Sequence, residues 1–415
     1  MNDEISKNLS ETLFVNHKQA KETSTLTRYM PSSEERLVTQ REAQGQAWYR
    51  NLRRLLWTWQ GVDPIEMEAV FARIASSTHS RSEEQWLDTV MGFRGGNWAF
   101  EWTRLGAKYR AESATLTNEP AAQALFQAAL CYSIASYPHL RNDNLASQAR
   151  ILAFETYEQA AKQSPYIVKT IEVPYQNRKV LAYLHLPNTD NPKPAVLVSG
   201  GLESLQVDMW RLFHDHLAPR DFAMITVDMP SLGHSAHWPL TENSSELHQA
   251  VLCELAKLPW VDHHRVGLLG FRFGGHAMTR LAFLEQDKVK ACAVLGAPVH
   301  ELFVAPQRLQ AMPKMYLDVL ASRLGKNGVD IGSLAGQMLA WSLKLQGFLA
   351  NRKTPVPILA LSIEGDPVSS LSDNRMVATY SRYGRAKQIP SDNITQGYEQ
   401  ALDLAIKWLE DEIVA

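Results

Sequence analysis

From about residue 166 onward the chain is built of short apolar runs that each stop at a turn residue. Val180–Leu186 closes on Pro187, Ala195–Val198 on Ser199-Gly200-Gly201, and Ala223–Val227 on Asp228. Val266–Leu269 closes on Gly270, Lys290–Leu295 on Gly296, and Val356–Leu361 on Glu364-Gly365-Asp366. Helical patterns fall between most of them. Short apolar strands alternating with helices specify a mostly parallel sheet with helices on both faces, an α/β fold. Ligands of such sheets sit beyond the carboxyl ends of the strands, where these Gly, Asp and Ser residues collect. About 60 residues separate the last two runs, more than one crossover helix needs. Helical stretches at 307–323 and 333–350 make this a cap insertion at about 300–352.

The first part of the chain has a different pattern. Residues 1–40 are polar without a sustained period and read as a loosely held arm. Residues 41–165 read as a helical domain. Trp48, Leu52, Leu55 and Trp59 fall on one face of a helix, and further helices are expected over 65–76, 83–91, 97–111, 119–136 and 144–163. Six Trp lie before residue 103, a concentration that core packing explains. Arg50, Arg53 and Arg54 are expected on the solvated face of the first helix.

Composition excludes several functions. Lys plus Arg total 42 against 44 Asp plus Glu, with no basic stripe, so nucleic acid is not an expected partner. Cys131, Cys253 and Cys292 lack metal-ligand spacing and read as buried free thiols, so no metal site is expected. The polar N-terminus is unlike a signal peptide, and no apolar run approaches a membrane span. A cytoplasmic location without membrane attachment is expected.

The most informative segment runs from Val261 through Gly270-Phe-Arg-Phe-Gly-Gly275 into a helix ending near Leu284. A strand, then Gly-x-x-x-Gly-Gly, then a helix resembles the nucleophile elbow of α/β-hydrolases. Residues 166–415 are therefore expected to form an α/β-hydrolase fold. Asp228-Met-Pro-Ser-Leu-Gly-His-Ser235 resembles a second loop of that fold. Ser199-Gly200-Gly201 stands in the place of its oxyanion loop, and Asp366 at its acid turn. The elbow position itself carries Arg272 in place of Ser, Cys or Asp. Triads in this fold run nucleophile, acid, histidine, and the last of the 13 His is His300. Guanidinium is neither a practical nucleophile nor a base, but it clamps carboxylates, and a helix N-terminus favours anions too. Arg272 is thus an anion clamp or half of a salt bridge with Asp366 or Glu203 that plugs the pocket, readings that do not exclude one another, since a ligand can displace the internal partner. Glu203 follows the oxyanion glycines and can be acid, base or counter-ion. Ser199, Gly200, Gly201, Phe271, Phe273 and His234 complete the candidate site, with His234, His237 and His276 more simply read as surface or packing residues.

Gly270–Gly275, Val261-Asp-His-His-Arg265 and Gly397–Trp408 resemble the fermentation–respiration switch (FrsA) family over essentially the whole chain. The resemblance implies carboxylesterase activity without a cofactor, and the glucose-specific IIA component of the phosphotransferase system as a partner. It also implies, alternatively, a cofactor-independent pyruvate decarboxylase using Arg272 and Glu203. That reaction leaves an acyl anion without an electron sink, and the sequence has no thiamine-site pattern. A catalytically inactive carboxylate sensor is the third alternative.

Overall fold

The computed structural model describes residues 27–28, 48–326, 329–364, 366, 368–390 and 394–414. The N-terminal arm, apart from residues 27–28, lies outside these, as do Gly365 and Pro367 of the acid turn. Strands β1 (Ile167–Tyr175), β2 (Arg178–Leu186), β3 (Lys193–Ser199), β4 (Ala223–Val227), β5 (Val261–Phe271), β6 (Ala291–Leu295), β7 (Ile358–Ile363) and β8 (Arg385–Ile389) form one sheet. Their order is β8-β7-β6-β5-β3-β4-β2-β1. β3 to β8 pair in parallel, and β2 runs antiparallel to both β1 and β4. β3 lies between β4 and β5, so connections leave in opposite directions there and open a crevice at the strand ends.

The period of two in each strand divides its side chains between two cores. Leu197, Leu268 and Val294 face one way, toward the helix Phe273–Leu284 and the cap. Val198, Leu269 and Leu295 face the other, toward the C-terminal helix Ile394–Val414 and residues Phe126, Tyr157 and Trp210. A third core belongs to the helical N-terminal region, built on Trp57, Phe71, Trp98 and Trp102. The rings of Trp57 and Trp102 lie 5.8 Å apart, edge to face.

The helices of this region are α1 (Arg54–Gln60), α2 (Pro64–Ala75), α3 (Trp98–Ser113), α4 (Asn118–Ser136) and α5 (Asn144–Gln163). Asp63 caps α2 by accepting from the backbone N–H of Ile65 and Glu66, with Pro64 at the first helical position. Three expectations here fail. Helix α1 begins only at Arg54, and the residue it buries is Trp57, while Leu55 is exposed. No helix forms over 83–91, which is a loop closed by a bridge between Arg81 and Val90. Asp88 within it is buried, accepts from the N–H groups of Tyr49 and Arg50, and pairs with the Arg50 guanidinium at 3.0 Å. Of the three arginines only Arg54 has the expected solvated side chain; that of Arg50 is buried and that of Arg53 half-buried, each in an ion pair. Tertiary partners override the helical period in these places. Cys253 also departs from expectation, being exposed, whereas Cys131 and Cys292 are buried.

The cap breaks into short helices, Glu301–Val304, Pro306–Gln310, Lys314–Arg323 and Ile331–Met338, because Pro313 interrupts the stretch expected at 307–323. Lys314–Arg323, here α6, lies between the other two units. Met315 belongs to the core of the N-terminal helices, whereas Leu317 and Val319 belong to the sheet core. Among the described residues no helix is long and apolar enough to cross a membrane.

Candidate active site

β5 ends at Phe271, and the helix α7 (Phe273–Leu284) begins two residues later. Arg272 makes the turn between them with φ 54° and ψ −123°, a conformation that costs a non-glycine residue about 1–3 kcal/mol. Its N–H is held by Leu295 O at 2.9 Å, and its carbonyl accepts from Gly275 N at 2.9 Å. The turn is possible because glycines surround it. A Cβ on Gly274 would lie 2.3 Å from the carbonyl oxygens of both Ser199 and Gly200, and one on Gly270 would lie 2.5 Å from Gly275 Cα. Phe271 and Phe273 flank the turn on opposite faces of the sheet. Phe271 stacks on Tyr398 in the core under the C-terminal helix, and Phe273 faces the cap.

The elbow thus lifts Arg272 to the crevice, where Asp366 meets it. One terminal nitrogen of Arg272 donates to Asp366 Oδ2. The other Asp366 oxygen accepts from Val368 N at 2.9 Å, which fixes the carboxylate. Asp366 is 4% exposed at its side chain and Arg272 38%. The Arg272 Nε and second terminal nitrogen make no hydrogen bond to a described residue. Arg272 lines a narrow cleft with room for about one water, together with Leu202, Glu203, Phe273, Met312, Tyr316, Val319, Leu320 and Val368. The walls are mostly apolar and the charges sit at one end. Burial lowers the Arg272 pKa, but Asp366 together with Tyr316 and Glu203 holds it above its usual value.

Glu203 lines the same cleft but pairs elsewhere: its Oε1 accepts from Arg53 of the N-terminal region. Its Oε2 lies toward Gly201 and the Arg272 stem, since a Cβ on Gly201 would be 3.0 Å from that oxygen and 3.3 Å from Arg272 Cβ. Ser199 is buried, with its hydroxyl donating to Met229 Sδ at 3.3 Å, and Gly200 packs on Met209 and Ser204. His234 is turned to the N-terminal helices, its ring 3.8 Å from that of Phe154 and its Nε2 3.3 Å from Tyr183 Oη. Burial pushes its pKa down to about 4. His276 is buried on α7, with Nε2 2.7 Å from Trp341 O and Nδ1 2.8 Å from Ser244 Oγ. A carbonyl only accepts, so Nε2 carries the proton and Nδ1 accepts from Ser244. Burial lowers this pKa also to about 4.

The structure therefore brings together Arg272, Asp366, Glu203, Gly201 and Phe273, and holds Ser199, Phe271 and His234 in other contacts. Arg53 and the cap residues Met312, Tyr316, Val319 and Leu320 were not anticipated at the site. Buried Arg323 also bears on the cleft: its Nε donates to Leu202 O at 2.9 Å, and its terminal nitrogens donate to His139 O and Pro138 O at 2.8 and 3.0 Å. It ties the cap to the oxyanion-type loop and to the end of α4. No cluster of three or more metal-ligating side chains occurs among the described residues.

A sequence profile of the family described as "Esterase FrsA-like" matches residues 4–414. A protein named Esterase FrsA from Vibrio vulnificus (strain YJ016) is 67% identical over 414 residues, all of both chains. Another of that name, from Photobacterium profundum, is 44% identical over 418 residues, again all of both. The crystal structure of 2,6-dihydroxy-pseudo-oxynicotine hydrolase superposes with a TM-score of 0.70 at 20% identity, covering 87% of this chain and 95% of that one. That likeness is one of fold.

Proposed function

The chain belongs to the FrsA-like esterase family, and from that premise we propose that it hydrolyses small carboxylic esters, and binds the acids they release, at Arg272 without a covalent intermediate. The carrying observation is the occupant of the elbow: a guanidinium, two of whose nitrogens bond no described residue, stands where a nucleophile would, at a mostly apolar cleft. No histidine follows Asp366 in the chain, so the usual order of a serine triad is lacking. The acid of the turn instead orients the guanidinium.

Water then attacks directly. Its oxygen bonds to the acyl carbon while its proton passes to Glu203 Oε2. The carbonyl oxygen gains negative charge, which Arg272 stabilises. Collapse breaks the bond to the alkoxy oxygen, which takes the proton back from Glu203 and leaves as the alcohol. Without a nucleophile–histidine pair, stabilisation and binding alone supply about 10³–10⁴ over water, so turnover is slow and favours activated esters. The apolar walls select a short acyl chain.

The test uses 4-nitrophenyl acetate with the full-length protein. Arg272→Ala is expected to lower kcat/KM at least about tenfold, and a fluorophosphonate is expected to leave no adduct by mass spectrometry. Unchanged activity in Arg272→Ala, or a stoichiometric serine adduct that abolishes turnover, refutes the mechanism. The family resemblance extends the proposal to control of fermentation and respiration through the glucose-specific IIA component. Calorimetric titration of the full chain with IIA checks that part, and an absence of heat in both phosphorylation states of IIA counts against it.

A further inference from the structure

Glu203 stands between two guanidinium groups. It pairs with Arg53, 150 residues earlier in the chain, and its charge also acts on Arg272, with which it shares the cleft. Glu203 and Arg53 also line a second narrow cavity, together with Trp57, Tyr137, His139 and Asp208. Glu203 is therefore the partition between two cavities, and Arg53 holds it from behind.

Arg53 is itself firmly placed. Its side chain is 14% exposed and that of Glu203 6%. Its guanidinium carbon sits 5.2 Å from the centre of the Tyr137 ring, with the Tyr316 hydroxyl of the cap beside it. Tyr316 in turn accepts from Asn51 Nδ2 at 2.8 Å. The N-terminal helices and the cap thus cooperate in aiming one cation at one carboxylate.

We infer that Arg53 is a positioning residue of the site: it holds Glu203 away from Arg272, so that the N–H groups of Arg272 that bond no described residue remain available to a carboxylate or acyl oxygen. The inference rests on Arg272 being the ligand clamp. Remove Arg53, and Glu203 is left buried without that partner, with Arg272 and Arg323 the remaining guanidinium groups on which its charge acts. Such a charge is costly, and attraction between close charges is stronger in an apolar cleft than in water. Glu203 then turns onto Arg272 and occupies the N–H groups that a ligand needs. The N-terminal region contributes to function through this contact, by supplying a residue that the hydrolase part lacks.

Calorimetric titration with butyrate tests this on the full-length protein and on Arg53→Met, Arg53→Lys, Glu203→Gln, Arg272→Ala and the Arg53→Met/Glu203→Gln double variant. Arg53→Met is expected to bind butyrate about tenfold more weakly, the loss of one charge-assisted contact. Arg53→Lys stays near wild type. The diagnostic result is restoration: the double variant binds within about threefold of Glu203→Gln alone. Neutralising Glu203 also relieves the stability cost of a stranded carboxylate, so positioning is separated from structure by titrating each variant at a temperature where its thermal unfolding shows it fully folded. Arg53→Gln serves in place of Arg53→Met if thermal unfolding shows the latter misfolded. Undiminished binding in Arg53→Met, or a double variant as weak as Arg53→Met, overturns the inference while leaving the clamp intact. No butyrate binding by the wild type, or full binding by Arg272→Ala, instead overturns the clamp itself.

Discussion

Gly274 gives the sharpest test of how the elbow is built. A Cβ there would stand 2.3 Å from two carbonyl oxygens, those of Ser199 and Gly200. Both oxygens belong to backbone at the end of a fully buried strand, and Gly274 belongs to the first turn of α7, so no flexible side chain can yield. Relief requires separating helix and loop by about 1 Å to approach ordinary contact. Overpacking of this kind costs about 1–3 kcal/mol. Unfolding entropy of about 2.1 cal/mol/K per residue over 415 residues makes 1 kcal/mol worth about 1 °C if the chain unfolds as a unit. Gly274→Ala is therefore expected to lower Tm by about 1–3 °C. A 1 Å displacement of the loop beside Arg272 is also expected to reduce ester turnover about 100-fold, so function falls far more than stability. Gly336→Ala is the control: its Cβ meets nothing within 4 Å on the helix Ile331–Met338, and Ala there gains up to about 1 kcal/mol. Calorimetric melting and 4-nitrophenyl acetate turnover of both variants decide the matter. If Gly274→Ala melts and turns over like the wild type, the close approach of α7 to this loop is refuted.

Other perturbations have worked expectations. His276 is held neutral by burial, with its pKa depressed to about 4 against an ordinary 6.5. The unfolded chain binds more protons between those values, so this stability is complete above pH 6.5 and lost as pH falls toward 4. It amounts to about 3 kcal/mol. Urea unfolding should therefore show wild type and His276→Asn converging by about that amount between pH 7 and 4, and a pH-independent difference contradicts the assignment. Arg50→Met strands the buried Asp88 carboxylate and is expected to cost about 3–5 kcal/mol, read as a lower urea midpoint; a midpoint equal to wild type shows the pair to be dispensable. Pyruvate incubated with purified protein should release carbon dioxide no faster than buffer does, since no group at the elbow can delocalise an acyl anion; faster release that Arg272→Ala abolishes reverses that reading.

The sheet was legible because buried strands are continuous apolar runs, and six of the eight strands announced themselves that way. β1 and β8 did not. β1 is mostly half-exposed and β8 mostly exposed at the sheet edges, so their composition resembles loops. Asp366 was legible as an acid at a turn after a strand, and Arg272 as the residue between close-packed glycines. The Arg53–Glu203 pair was not. An arginine three residues from another, just before a short helix, carries no mark of a partner 150 residues away. The same blindness produced the error over 83–91, where a helical period concealed an Asp whose use is to accept from Tyr49 and Arg50.

The position of α6 between two cores has a consequence for the order in which the chain assembles. The core of the N-terminal helices is incomplete without Met315, and the buried hydroxyl of Tyr49 waits for Asp318, 269 residues away. Arg323 binds the carbonyls of Pro138 and His139 across 185 and 184 residues. Contacts so distant in sequence form slowly, because a long loop must close before any of them is made. A chain emerging from the ribosome exposes its tryptophan-rich helices long before the segment that finishes their packing has been translated. Those helices therefore await their last layer unpaired, and the cleft comes into being only when nearly the whole polypeptide has arrived.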